Sequence, residues 1–118
     1  MENFFIELPL TGEYLTTVRL TTGGLCALAG FDVDATEDYK VCVTESLLIL
    51  KRNGYPRASI CFTVAETLAA NICGKDCLQQ AEESFEDEIS KALLSALLGK
   101  VEFTSNQQGK IQSIVFEG

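Results

Sequence analysis

Residues 39–50 carry apolar side chains on two helical stripes at once. Tyr39, Cys42, Val43, Leu47 and Leu50 recur at three and four, and Val41, Leu48 and Ile49 form a second stripe beside them. A helix with one apolar stripe lies on a core, whereas a helix apolar on two sides has to be buried on two sides. The chain has 118 residues, enough for one domain, and its 47% apolar and 22% charged residues match an ordinary folded composition. A single domain, residues 1–118, with this helix inside it is therefore expected.

The neighbouring segments say what covers it. Residues 4–9, Phe-Phe-Ile-Glu-Leu-Pro, read as a first strand near a sheet edge, ended by Pro9. Leu15, Val18, Thr22 and Cys26, with Leu25, Leu28 and Ala29, then follow helical spacing up to Gly30, a C-terminal cap. Gly23 and Gly24 inside that helix cost about 1–2 kcal/mol of propensity together, so close packing or a kink is expected there. Asp34 and Glu37 have the spacing of a capping box, with Asp34 as N-cap of the second helix, which stops near Asn53-Gly54 ahead of Pro56.

Residues 58–64 alternate, with Ile60, Phe62 and Val64 on one face and Ser59, Cys61 and Thr63 on the other. A weaker run over 67–73 completes a hairpin turning near Ala65-Glu66. A helical stretch over 78–98 has an acidic first half and an apolar second half built from Ile89, Ala92, Leu93, Ala96 and Leu97. Ser84 is a candidate cap within it and Gly99 its end. A last hairpin joins residues 101–103 to 111–116 around Asn106-Gln107-Gln108-Gly109. The order β-α-α-β-β-α-β-β predicts an α+β fold, a two-layer α/β sandwich with helices grouped on a mixed, mostly antiparallel sheet.

Several function classes are excluded by composition. Nine basic against 17 acidic residues leave a net charge of −8, which argues against a nucleic-acid partner, since phosphate contacts need Lys and Arg. The longest apolar run, residues 47–50, is too short to span a membrane, and Met1-Glu2 does not open a secretory signal. The absence of histidine removes His-activated nucleophiles and His metal ligation. Five cysteines, Cys26, Cys42, Cys61, Cys73 and Cys77, form no C-x-x-C pair and read as small buried hydrophobes of a cytoplasmic protein. No Walker A loop, dinucleotide fingerprint or G-x-S-x-G elbow is present.

Residues 18–24 (Val-Arg-Leu-Thr-Thr-Gly-Gly), then Gly30-Phe31, then Glu37-Asp38 with Lys40-Val41-Cys42-Val43-Thr44-Glu45-Ser46, resemble the anti-sigma-factor serine kinases of Gram-positive stress and sporulation pathways. These belong to the histidine-kinase-like (GHKL) ATPase superfamily. The resemblance implies that superfamily's sandwich, ATP and magnesium held between helices and sheet, a homodimer burying strand one or helix one, and a sigma factor or anti-anti-sigma factor as partner.

Carried over residue by residue, the family's nucleotide motifs largely fail. The general-base glutamate falls on Glu45, but the magnesium-binding asparagine four residues later falls on Ile49, which offers no oxygen to a hard cation. The aspartate that holds adenine falls on Lys75, with Asp76 one residue away and no glycine among the residues directly after it, Cys77, Leu78 and Gln79. The glycine-rich turn that cradles phosphates on free backbone amides is replaced by a segment with Glu82, Glu83, Glu86, Asp87 and Glu88. Each of these carboxylates would repel a phosphate charge at about 6 Å by roughly 3 kcal/mol at an effective dielectric near 20. The ATP-lid region is short.

The expected function is thus regulatory protein–protein contact on a degenerate kinase scaffold. Glu45 is a vestigial base, expected to pair with Arg52 or Lys51, and no cofactor or metal is held. Arg19 is read as a salt-bridging residue of helix one, and the acidic run 82–88 as a solvated helix face. The alternative is an active ATP-dependent serine/threonine kinase with divergent motifs.

Overall fold

In a computed structural model, residues 2–76, 85–98, 100–107 and 109–118 are described, with the side chains of 85–87 set aside. The elements run β1 (Glu2–Pro9), α1 (Gly12–Leu28), α2 (Val33–Arg52), β2 (Arg57–Val64), β3 (Leu68–Lys75), α3 (Phe85–Leu98), β4 (Val101–Ser105) and β5 (Ile111–Glu117). The order is the expected one. The expected positions 78–84 of the third helix, its cap Ser84, its end Gly99, and Cys77 lie outside the described residues.

The five strands form one sheet in the order β1-β2-β3-β5-β4. Every pairing is antiparallel, so the sheet is not the mixed one expected. The reason is the direction of return: β4 reaches the edge after α3, and its hairpin sends β5 back between β4 and β3, antiparallel to both. Strand β1 is the other edge and pairs with β2 alone, as its terminal proline implied.

Register decides which side chains meet. Ile6 opposes Ile60, Ile60 opposes Ile72, and Ile72 opposes Ile114. Phe62 opposes Ala70, which opposes Phe116. Because alternate residues share a face, these rows line the side on which the helices lie. Helix α2 packs on β2, β3 and β5 and is flanked by α1 and α3. Its first stripe, Tyr39, Cys42, Val43, Leu47 and Leu50, is buried; of the second, Ile49 is buried while Val41 and Leu48 are half-buried, so the second side is covered only in part.

Both long helices close with the same C-terminal device. At the end of α1 the Gly30 amide donates to Ala27 O and the Phe31 amide to Cys26 O, with Gly30 at φ +81°. At the end of α2 the Gly54 amide donates to Lys51 O and the Tyr55 amide to Leu50 O, with Gly54 at φ +93°. These are Schellman closures, in which glycine takes the left-handed position.

The first closure corrects the cap of α2. Phe31 is consumed by the end of α1, so Asp32 is the next extended residue, and its Oδ1 accepts the Ala35 amide at 2.8 Å. Asp34 is already inside the helix, and Glu37 does not reach back; it pairs with Lys40 Nζ at 3.2 Å. The double glycine does not break α1. A Cβ on Gly23 would stand 2.7 Å from Lys40 Cε, the movable end of a side chain of α2, and Gly24 faces open space, so neither glycine is required by close packing of the helices.

Three further expectations change. Cys26 and Cys42 are buried, but Cys61 and Cys73 are half-buried on the face of the sheet away from the helices. Arg19 is exposed and makes no ion pair among the described residues, so its salt bridge is absent. The apolar half of α3 is turned outward. Among its described side chains Ser90 and Leu94 are the buried ones, whereas Ile89, Leu93 and Leu97 are exposed by 54%, 36% and 36%.

Candidate functional site

The residue pair that the sequence singles out, Glu45 and Ile49, sits one turn apart in the second half of α2. Ile49 is fully buried in the core. Glu45 is half-buried, and its Oε2 accepts a 2.7 Å hydrogen bond from Ser90 Oγ of α3. Arg52 Nη2 in turn donates to the same hydroxyl at 2.7 Å. The expected partnership of Glu45 with Arg52 therefore exists only through Ser90, which is buried between the two helices. The spacing that puts Glu45 and residue 49 on neighbouring positions also puts Arg52 one turn beyond, so one hydroxyl on α3 reaches both charges. Ser90 was not legible as a site residue, since a serine in an apolar stretch carries no signal of its own.

This arrangement tests whether the residues fit the metal and nucleotide that the family uses. They do not fit a magnesium ion of the family's kind. Magnesium requires oxygen donors near octahedral geometry, Ile49 supplies none, and the one carboxylate beside it is engaged by Ser90. Among the described residues no cluster of three Cys, Asp or Glu is placed to hold a metal ion.

The position expected for the adenine anchor is also built differently. Lys75 ends β3, exposed. Asp76 follows in the left-handed region at φ +58°, and its Oδ2 lies 3.9 Å from Arg57 Nε, the side chain that also pairs with Glu7 at 3.1 Å. The preceding Gly74 lets a chain approach closely, but the approaching group is internal. A Cβ there would stand 2.5 Å from Cγ and Cδ1 of the Tyr55 ring.

Tyr55 is buried, and its hydroxyl accepts from Asn106 Nδ2 at 3.2 Å. One residue before the α2 closure, Asn53 donates to Ile49 O at 2.7 Å and accepts the Ile111 amide at 3.2 Å. Asn53, Gly54 and Tyr55 thereby pin the C-terminus of α2 to β3, β5 and the last turn. Tyr55 was missed because an aromatic residue between a glycine and a proline reads as loop.

The electrostatics of α2 favour neutral groups. Burial pushes the Cys42 thiol up to about 12, with the Asp38 and Glu45 carboxylates adding to the effect. Burial raises Cys26 to about 11 against a smaller opposing pull from Lys40. The Tyr39 hydroxyl is also held neutral, mainly by burial, and donates to Leu68 O at 2.9 Å. Thiols held this way are poor nucleophiles and poor metal ligands, since both roles belong to the thiolate.

At the start of α3, the acidic run is only partly described. Glu88 is exposed and pairs with Lys91 at 3.7 Å, and Lys91 Nζ lies 5.9 Å from the centre of the Phe103 ring. Glu82 and Glu83, and the side chains of Glu86 and Asp87, lie outside the described residues. No helix among the described residues is long and apolar enough to cross a membrane.

No protein-family model matches the sequence. A serine-protein kinase RsbW of Staphylococcus epidermidis is 28% identical to the chain over 95 residues, covering 75% of this chain and 57% of that protein. The same protein from two further strains of the organism matches to the same extent. The chain thus spans little more than half the length of the curated relatives it matches. The likeness is to a serine-protein kinase, the class of protein that the pattern over residues 18–45 resembles.

Proposed function

We propose that this chain is a regulatory protein of the anti-sigma-factor type, working by protein–protein contact on a kinase-derived scaffold from which nucleotide chemistry has been lost. One observation carries the reading: Glu45, at the position of the family's base, is hydrogen-bonded to Ser90, while Ile49, at the position of its metal ligand, is buried among apolar side chains. The similarity to serine-protein kinase RsbW and the α+β sandwich support the family. The scaffold is a single histidine-kinase-like domain shortened at the ATP lid, cytoplasmic, homodimeric, with a sigma factor or an anti-anti-sigma factor as partner. Glu45 is a vestigial base in this reading.

Titration calorimetry with ATP and magnesium tests it. A flat trace is expected; micromolar affinity overturns it. The second reading, an active serine kinase with divergent motifs, is favoured by the similarity to a serine-protein kinase. It requires phosphate transfer from ATP to a serine of the partner, abolished by Glu45→Gln.

A further inference from the structure

The sheet face turned away from the helices carries Cys61 of β2 and Cys73 of β3, both half-buried and both free thiols. Ile60, Phe62 and Ile72 line the helical side, so alternation turns residues 61, 71 and 73 to the open one. Register makes the two cysteines diagonal neighbours. Cys61 lies opposite Asn71, and Cys73, opposite Ser59, stands two residues further along the same face of the adjacent strand. The Cys73 thiol leans back along β3 and donates to Asn71 Oδ1 at 3.3 Å, which carries it toward the row that Cys61 occupies.

That separation decides what the two thiols can do together. Diagonal neighbours on paired strands have Cα atoms about 7–8 Å apart. A disulfide joins Cα atoms up to about 7 Å apart, so a diagonal pair overshoots it. One bridging ion takes up the difference, because two metal–sulfur bonds of about 2.3 Å laid end to end part the sulfurs by roughly 4.6 Å. Donor type and number then choose the ion. Thiolates are soft ligands and select copper(I), zinc or iron–sulfur clusters. Structural zinc sites and clusters take four protein ligands. The chain has no histidine, and among the described residues no third Cys, Asp or Glu is grouped with these two. Their other neighbours across the strands are Phe5, Ser59, Asn71 and Ser113, none of them a soft donor. Two soft donors without a third suit a monovalent ion that is satisfied by two ligands.

We propose that Cys61 and Cys73 form a two-coordinate thiolate site for copper(I), clamping β2 to β3 on the open face of the sheet. The site lies across the sheet from the helices that carry Glu45 and Ser90, so it is independent of the regulatory reading and of whether ATP binds. Cys26 and Cys42 do not compete for the ion, since burial under the helices keeps their thiols protonated.

Anaerobic titration of the reduced full chain with copper(I), in competition with bicinchoninate, tests the proposal. One equivalent per chain is expected, with X-ray absorption showing two sulfur neighbours. Cys61→Ser and Cys73→Ser, each checked for folding by far-UV circular dichroism, should each weaken binding roughly a hundredfold or more, because the second ligand no longer chelates. Cys77→Ser, four residues beyond Cys73 in the chain, should leave the affinity unchanged. In the unsubstituted chain, bound copper(I) should protect Cys61 and Cys73 from iodoacetamide, read by peptide mass spectrometry, and leave Cys77 open to it. Affinity indifferent to Cys61→Ser overturns the proposal. So does affinity lost with Cys77→Ser, a copper centre with three or more sulfurs, or an ion shared between two chains.

Discussion

The Ser90 hydroxyl donates a 2.7 Å hydrogen bond to the Glu45 carboxylate across the junction of α2 and α3, with Arg52 donating to the same oxygen from the other side. A carboxylate that is half-buried and satisfied by the protein is a structural tie. It binds α3, which buries Leu94 and half-buries Leu98 against the core, to the central helix. Ser90→Ala removes the donor to Glu45 and is expected to destabilise the fold by about 1–2 kcal/mol. The urea midpoint should fall accordingly, while Ser95→Ala, on the exposed side of the same helix, should leave it unchanged.

Restoring the family's asparagine at position 49 should not restore its chemistry. Ile49 is fully buried, so Ile49→Asn exchanges a packed aliphatic side chain for an amide in apolar surroundings. The expected cost is about 2–4 kcal/mol, from lost packing and an unsatisfied polar group together. Thermal melting should report the loss, and calorimetry with magnesium and ATP should stay flat because Glu45 remains engaged by Ser90. Heat of binding in this variant would show that residue 49 alone had removed nucleotide binding.

Gly74 is held to glycine by Tyr55 rather than by a ligand. Gly74→Ala would drive a methyl group into ring atoms 2.5–2.7 Å away, in a ring fixed by burial and by Asn106. The expected destabilisation is about 1–3 kcal/mol, as for other overpacked sites. In a Tyr55→Leu background the same substitution should cost measurably less, and a double-mutant cycle by denaturant unfolding reads the coupling. Additive effects would mean that something else excludes the Cβ.

Asp32 and Asp34 separate the two ways of starting α2. Asp32→Ala removes the side chain that accepts the Ala35 amide and should cost about 1 kcal/mol. Asp34→Ala, inside the first turn and exposed, should change the unfolding midpoint little. The reverse result would reinstate the capping box that the sequence suggested.

What was legible followed from periodicity. The two stripes of α2, the alternation of Ile60, Phe62 and Val64 and the glycines at 30 and 54 each have one physical solution, and together they yield the element order without a template. What was not legible depends on partners distant in sequence. Asp32 and Asp34 are equally good caps until the closure of α1 takes up Phe31. Which side of α3 is inward is undecided by its own residues, because the buried Ser90 meets Glu45 and Arg52 of α2, while the more apolar stripe is left outside. In the candidate site, Glu45 and Ile49 were identifiable because their spacing is local. Ser90 and Tyr55 were not, because their roles exist only across 45 residues from Glu45 and across the sheet to Gly74.

The buried thiols make stability fall in alkali. Cys26 and Cys42 titrate in the folded chain at about 11 and about 12, against an ordinary thiol value of 9.0. Below pH 9 both are protonated in either state, and their contribution is fully present. Above it the unfolded chain releases protons that the folded chain retains, so unfolding becomes progressively easier up to the folded values. The loss reaches the order of 3 kcal/mol for each thiol only above its folded value, and is about 2 kcal/mol for each at pH 10.5. Tyr39, raised by the same burial, extends the trend in the same direction. Urea unfolding at pH 7, 9 and 10.5 should therefore show a midpoint that is flat over the first interval and drops over the second. Cys42→Ala should lower the midpoint at pH 7 by removing packing, yet reduce the drop above pH 9, since one of the two protons no longer titrates. An unchanged alkaline slope in that variant would assign the effect to other groups.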